Sequence, residues 1–232
     1  MSRRDEIADN LATVRSRIAG ACSDVRRDPG EVRLVVVTKF FPVSDVRLLA
    51  DLGVTDVGEN RHQEAQAKVA ECADLPLTWH FIGALQSNKA AAVASYSQVV
   101  EAVDRVKLVA PLARGARERA TPLDCLLQVS LDPPQARGRA GADPEQLDEL
   151  AAAVAEAGAL RLRGLMAVAP LGEDPVAAFG RLGRIRQDFL TGHPAASWLS
   201  AGMSGDLEQA VRTGATHVRV GSAILGSRPR VK

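Results

Sequence analysis

A lysine closes the apolar run Val35-Val36-Val37-Thr38-Lys39-Phe40-Phe41-Pro42, where an ammonium group gains nothing from the valines before it. Near the other end of the chain lie Gly202-Met203-Ser204-Gly205 and Arg219-Val220-Gly221-Ser222, two segments rich in glycine and hydroxyl groups. Glycine lets a backbone approach a ligand closely, and serine hydroxyls beside backbone N–H groups suit an anion such as phosphate. Lysine is the side chain that condenses with carbonyl compounds once it sheds its proton. A lysine and a phosphate cradle together suit a phosphorylated aldehyde or ketone, provided the fold brings the two ends of the chain together.

The pattern of elements predicts that it does. An opening helix over about 5–20 carries Ile7, Leu11, Val14 and Ile18 at helical spacing. Eight strand-like runs follow, at 34–37, 54–58, 77–83, 97–103, 123–131, 160–168, 196–202 and 216–224. Helical patterns separate them, including 86–96, 104–118, 143–157, 175–190 and 206–213. Strands alternating with helices require parallel pairing with crossover connections. Eight such units in 232 residues match a (β/α)8 TIM barrel, preceded here by an extra N-terminal helix. A doubly wound open sheet would want a glycine fingerprint after its first strand, and VVVTKFFP contains no glycine. With no linker or low-complexity segment, the expectation is one domain over 1–232.

In a barrel the C-terminal strand ends form the reactive mouth, and the loops after strands seven and eight commonly hold phosphate. Lys39 falls at the end of strand one, and Gly58-Glu59-Asn60 at the end of strand two. Ser204 falls after strand seven, where it is positioned to cap the next helix, and Gly221-Ser222 after strand eight. Arg219 points inward near the end of strand eight, with a barrel carboxylate such as Glu59 as its expected ion-pair partner. Two chemistries remain open from these residues. Lys39 attacks a phosphorylated sugar, as in a class I aldolase, or it takes the aldehyde of pyridoxal phosphate.

Composition narrows the field. The chain is 46% hydrophobic and 25% charged with a formal net charge of +1, which gives no electrostatic footprint for nucleic acid or an anionic membrane. No apolar run approaches the roughly 20 residues of a membrane span, and the charged opening MSRRDEIADN lacks the core of a secretory signal. Three scattered cysteines and four dispersed histidines predict neither disulfides nor a metal site, so a reducing cytoplasm fits. Few aromatic residues favour a monomer.

The segments VVVTKFFP, VGENRHQE (57–64), WHFIGALQSNK (79–89), LRGLMAV (162–168), GMSGDLEQAV (202–211) and VRVGSAILGSR (218–228) resemble the pyridoxal phosphate homeostasis proteins. These are single-domain relatives of the alanine racemase barrel, and the likeness runs from about residue 33 to 228. The resemblance implies pyridoxal 5'-phosphate held as an internal aldimine on Lys39. It implies a cofactor-binding set of Lys39, Asn60, Met203, Ser204, Arg219, Gly221 and Ser222, with Arg219 facing the ring nitrogen. It implies intracellular cofactor homeostasis, apo-enzymes as cofactor acceptors, and little or no racemase turnover; the alternatives are an active pyridoxal-phosphate isomerase or racemase, or an aldolase. An arginine at the ring nitrogen disfavours its protonation and weakens the cofactor as an electron sink.

Some positions depart from the family's usual pattern. Thr38 stands where serine is common, Phe40-Phe41 delay Pro42, Ser222 replaces threonine and Gly205 replaces aspartate. The loop after strand five, usually lysine-bearing, carries Arg137 and Arg139. Phe40 and Phe41 read as packing that fixes the strand end. Racemisation needs acid/base groups on both faces of a substrate, and the single tyrosine, Tyr96, falls between a helix and strand four, on the wrong end of a barrel.

Overall fold

The computed structural model describes residues 1–133 and 140–227. Arg137 and Arg139, and with them the expectation about the loop after strand five, lie outside the described residues. Eight parallel strands close into one barrel in chain order: β1 (Arg33–Val37), β2 (Asp56–Glu59), β3 (Thr78–Phe81), β4 (Val99–Val103), β5 (Leu123–Gln128), β6 (Leu160–Met166), β7 (Trp198–Ser200) and β8 (His217–Val220). Closure joins β1 to β8, with Val35 level with Asp56 on one side and Arg219 on the other. That register is what places Lys39 beside the loops that begin at Gly202 and Gly221.

Helix α1 (Arg3–Asp24) precedes the barrel, opened by a capping box in which Ser2 accepts from Asp5 N–H and Asp5 accepts from Ser2 N–H. Its predicted stripe, Ile7, Leu11, Val14 and Ile18, is buried. The crossover helices are α2 (Val43–Asp51), α3 (His62–Glu71), α4 (Ser87–Tyr96), α5 (Val109–Ala116), α6 (Leu147–Glu156), α7 (Pro175–Gly192) and α8 (Leu207–Arg212). Most predicted strands lose residues at their ends, because barrel pairing lasts only while neighbouring strands stay level. The eighth loses most. Residues read as its second half form a short helix, α9 (Ser222–Leu225), after Gly221 turns the chain.

Two large apolar clusters fill the space between sheet and helices, one around β3–β7 and one joining α1 to β1, β2 and β8. The barrel interior differs. Its apolar part is small, with Val99, Leu126 and Met166 packed beside Trp198 and Val168. Buried Asp56, His80, Glu101, Ser200, His217 and Arg219 occupy the rest. No described helix is long and apolar enough to cross a membrane.

Candidate functional site

A cavity of about 510 Å³ opens at the C-terminal mouth, within the usual range for small-molecule sites. Lys39, Asn60, Met203, Ser204, Arg219, Gly221 and Ser222 all line it. Residues at opposite ends of the sequence meet there because β1 pairs with β8. Gln128, Ile82, Met166 and Val168 also line it and were not foreseen. The alternation of inward and outward positions along their strands is the signal that could have found them.

The end of β1 is held from behind. Phe40 has φ of 71°, a left-handed conformation that costs a bulky residue roughly 1 kcal/mol or more. Its N–H donates to Glu64 Oε1 at 2.5 Å. Lys68, buried on α3, donates to Thr38 O, Glu59 Oε1 and Glu64 Oε1, each at 2.7 Å. Thr38 Oγ1 adds a donation to Glu59 Oε1 at 2.7 Å. Glu59 and Thr38 thus face outward to the helices, while Val37 and Lys39 face the cavity. Burial raises Glu59 above the usual carboxylate range, with the charge and hydrogen bond of Lys68 opposing. The phenylalanines divide the expected packing role. Phe41 is buried in the core beside α1, whereas Phe40 is half-buried, with the Arg61 guanidinium 5.1 Å from its ring centroid; both border the cavity.

At the end of β2, a Cβ on Gly83 would fall 2.1 Å from Asn60 O, so only glycine lets the β3 end pack against that peptide. Asn60 Oδ1 is buried without a partner, an acceptor available to a ligand.

The loop after β7 corrects one expectation. Ser204 does not cap the next helix; Asp206 immediately precedes α8 and its Oδ1 accepts from Met203 N–H at 2.6 Å. Gly202, with φ of 90°, turns the chain so that an intervening turn carries Ser204 toward the neighbouring loop. Its Oγ accepts from Ser222 Oγ and from Ala223 N–H, both at 3.3 Å. Long bonds between two hydroxyls and an amide are contacts that an anion readily replaces. Arg17 on α1 buttresses this loop, donating to Ser204 O at 3.0 Å and pairing with Glu208.

Arg219 corrects another. Its partner is Glu101 on β4, 3.7 Å away, because Glu59 faces outward. Arg219 donates to Ser200 Oγ at 2.6 Å and Ala167 O at 2.9 Å. Ser200 Oγ donates to Glu101 Oε2 at 2.6 Å, Glu101 Oε1 lies 2.7 Å from His80 Nδ1, and His80 Nε2 lies 3.1 Å from Asp56. A buried ladder of alternating charge therefore descends from the cavity floor to the opposite end of the barrel. Burial would lower His80, but hydrogen bonds to Asp56 and Glu101 raise it to about 9, so it is cationic at neutral pH. Burial would raise Glu101, yet His80 and Arg219 hold it at about 2. His217, without such a pair, is lowered to about 4, chiefly by burial.

Tyr96 ends α4, where it stacks near His62 with ring centroids 6.0 Å apart, and it does not line the cavity.

A parallel eight-stranded barrel with a lysine at the first strand's mouth and hydroxyl-bearing loops after the last two strands defines a barrel of the alanine racemase N-terminal type. The model of that domain family, "Alanine racemase, N-terminal domain", matches residues 3–229. The pyridoxal phosphate homeostasis protein of Mycobacterium leprae is 41% identical over 240 residues, covering 97% of this chain and 93% of its own. That of Pseudomonas aeruginosa is 42% identical over 222 residues, covering 96% of each chain. The structure of PipY from Synechococcus elongatus, solved with pyridoxal phosphate bound, superposes with a TM-score of 0.82 at 36% identity, covering 95% of this chain and 100% of that one. The chain belongs to the pyridoxal phosphate homeostasis protein family.

Proposed function

We propose that this chain, as one domain, binds pyridoxal 5'-phosphate in the C-terminal cavity, carries it covalently through Lys39, and acts in cofactor homeostasis in the cytoplasm, with little or no racemase turnover. The observation that carries this reading is the convergence of Lys39, the Ser204 and Ser222 hydroxyls, and Arg219 on one cavity. The residues fit the group. Asn60 Oδ1 is an unpartnered acceptor, the serine pair offers replaceable bonds to phosphate, and Gly221 leaves room where a Cβ would crowd Val37 O at 3.2 Å. When bound, the cofactor supplies an aldehyde carbon with which a deprotonated lysine amine condenses, releasing water.

The chain's own residues account for the rest. Glu64 and Lys68 hold the Thr38–Phe40 backbone and so aim Lys39 inward. Ser204, Ser222 and the Gly221 turn hold the phosphate, and Asn60 contacts the cofactor. Arg219, a permanent cation locked by Ser200 and Glu101, offers the pyridine nitrogen no proton, which restrains carbanion chemistry. Among the described residues lining the cavity there is no tyrosine, histidine, cysteine or carboxylate to act as a second acid/base opposite Lys39. Monomeric holoprotein that passes its cofactor to apo-enzymes completes the reading.

The test is visible absorbance. Purified protein mixed with pyridoxal phosphate should gain a band that borohydride removes while fixing the cofactor to Lys39; Lys39→Ala should show no band. Failure of the wild-type protein to gain the band, or rapid inversion of alanine by it, would overturn the reading.

A further inference from the structure

The other end of the barrel holds a second polar cavity, of about 340 Å³, among the strand starts. Arg33 from β1, Arg161 and Arg163 from β6, and Arg119 from the connection before β5 line it, and among the described residues the carboxylates they face are Asp56 and Asp124. Asp124 is engaged by Arg161 at 2.5 and 3.0 Å, which leaves Arg163 Nε 3.8 Å away. Asp56 accepts from Thr55 at 2.6 Å and pairs with His80, so Arg33 reaches it only at 3.4 Å. The Arg119 Nη1 donates to Ala94 O at 3.0 Å, with no carboxylate in salt-bridge range among the described residues. The Nε atoms of Arg119 and Arg163 are buried without a hydrogen-bond partner, Arg163 Nε having only its long ion pair with Asp124. Arg163 is fixed by the Trp198 ring, whose centroid lies 4.0 Å from the guanidinium carbon.

A structural ion-pair network at the stable face of a barrel would match its charges. This one does not: four guanidinium groups face two carboxylates, one of which, Asp56, is also shared with His80. An excess of guanidinium groups around a polar cavity suits a ligand that is a strong acceptor, and guanidinium forks fit tetrahedral oxyanions. We propose that the N-terminal mouth is a second binding site, for a phosphate dianion, either inorganic or a small monoester. It is built from Arg119 and Arg163, with Arg33 and Arg161 at its rim, and it does not depend on the cofactor reading of the first cavity.

Trp198, under Arg163, gives the assay. Tryptophan emission is followed while sodium phosphate is added, with sodium chloride at matched ionic strength as control. The proposal expects a saturable change with phosphate that chloride does not give, weakened roughly tenfold or more in Arg119→Gln/Arg163→Gln, the loss expected for charge-assisted bonds. Ser204→Ala/Ser222→Ala, which alters the first cavity, should leave the change intact. Asp124→Asn removes the competing carboxylate and should tighten binding, so the proposal stays testable if the double arginine variant fails to fold. Glycerol phosphate titrated in parallel separates ester from inorganic phosphate, and saturation by either supports the site. No saturable change, a change that follows the serines rather than the arginines, or Asp124→Asn binding no tighter than wild type would overturn it.

Discussion

The two mouths of this barrel are built from the same eight strands, yet their inward positions carry opposite chemistry. The C-terminal mouth pairs one lysine with hydroxyls, glycines and apolar walls from Val37, Ile82, Met166 and Val168. The N-terminal mouth crowds four arginines around two aspartates. Between them the Asp56–His80–Glu101–Ser200–Arg219 ladder takes the place of the branched aliphatic layers that usually fill such a barrel. The difference teaches that a parallel barrel sets where side chains point but not what they are. A buried charged ladder is tolerated here because each member has a partner. Its contribution to stability therefore depends on keeping all of them.

The largest expected effect breaks the ladder between the mouths. Glu101→Leu should cost about 3–5 kcal/mol in urea unfolding, because it leaves buried His80 and Arg219 without their shared anion. Glu101→Gln, which keeps an acceptor for Ser200, should cost less. Equal losses for the two variants would show that the charge is not what matters.

Next in size is the pH dependence of stability. His80 is raised in the fold from its ordinary 6.5 to about 9, so its contribution is complete below 6.5 and is lost as pH rises through 9. His217 is lowered from 6.5 to about 4, so its contribution is complete above 6.5 and is lost as pH falls through 4. Urea midpoints should therefore peak near pH 6.5 and decline on both sides, by an amount on the order of a few kcal/mol. His80→Gln should flatten the alkaline limb; an unchanged alkaline limb would mean that His80 does not carry the charge.

A smaller effect separates the mouths by ligand. Ser204→Ala should weaken pyridoxal phosphate binding by roughly tenfold, about 1.4 kcal/mol for one lost bond to a charged group. It should not move the unfolding midpoint of the cofactor-free protein by much. The smallest concerns the clasp behind Lys39. Glu64→Gln keeps an acceptor for the Phe40 N–H but removes the charge facing Lys68, and should cost about 1 kcal/mol. A measured slowing of cofactor attachment at Lys39 in the same variant would show that the clasp positions the lysine.

How much of this was legible varied with distance along the chain. Lys39, Ser204, Gly221 and Ser222 could be read because each stands at a strand end, Lys39 as the charge that closes an apolar run and the others in glycine-rich segments. Gln128 and Ile82 are marked in the sequence only by strand alternation, which gives a parity but not which parity faces the cavity. Glu101 was invisible as the partner of Arg219. It lies within an apolar run, where it shares the inward parity of Val99 while Val100 faces the helices. Ser204 was misread as a cap because the turn that displaces it to Asp206 requires the left-handed Gly202. The arginine mouth escaped notice because Arg33, Arg119, Arg161 and Arg163 share no motif.

By itself the sequence determined the periodicities, and with them the alternating β/α units, the α1 stripe and the residues at each strand's end. Those follow from local geometry, period 3.6 for a helix and period 2 for a strand. Only the tertiary structure decided which of those residues share a cavity. Closure of β1 on β8 brings Lys39 to the Ser204 and Ser222 loops, α1 reaches back to hold Ser204 through Arg17, and the inward register assembles the charged ladder. These depend on contacts between residues far apart in the chain, whose pairing is set by the packing of the whole barrel rather than by any one segment. VVVTKFFP could announce a lysine at a strand end; the barrel supplied what faces it.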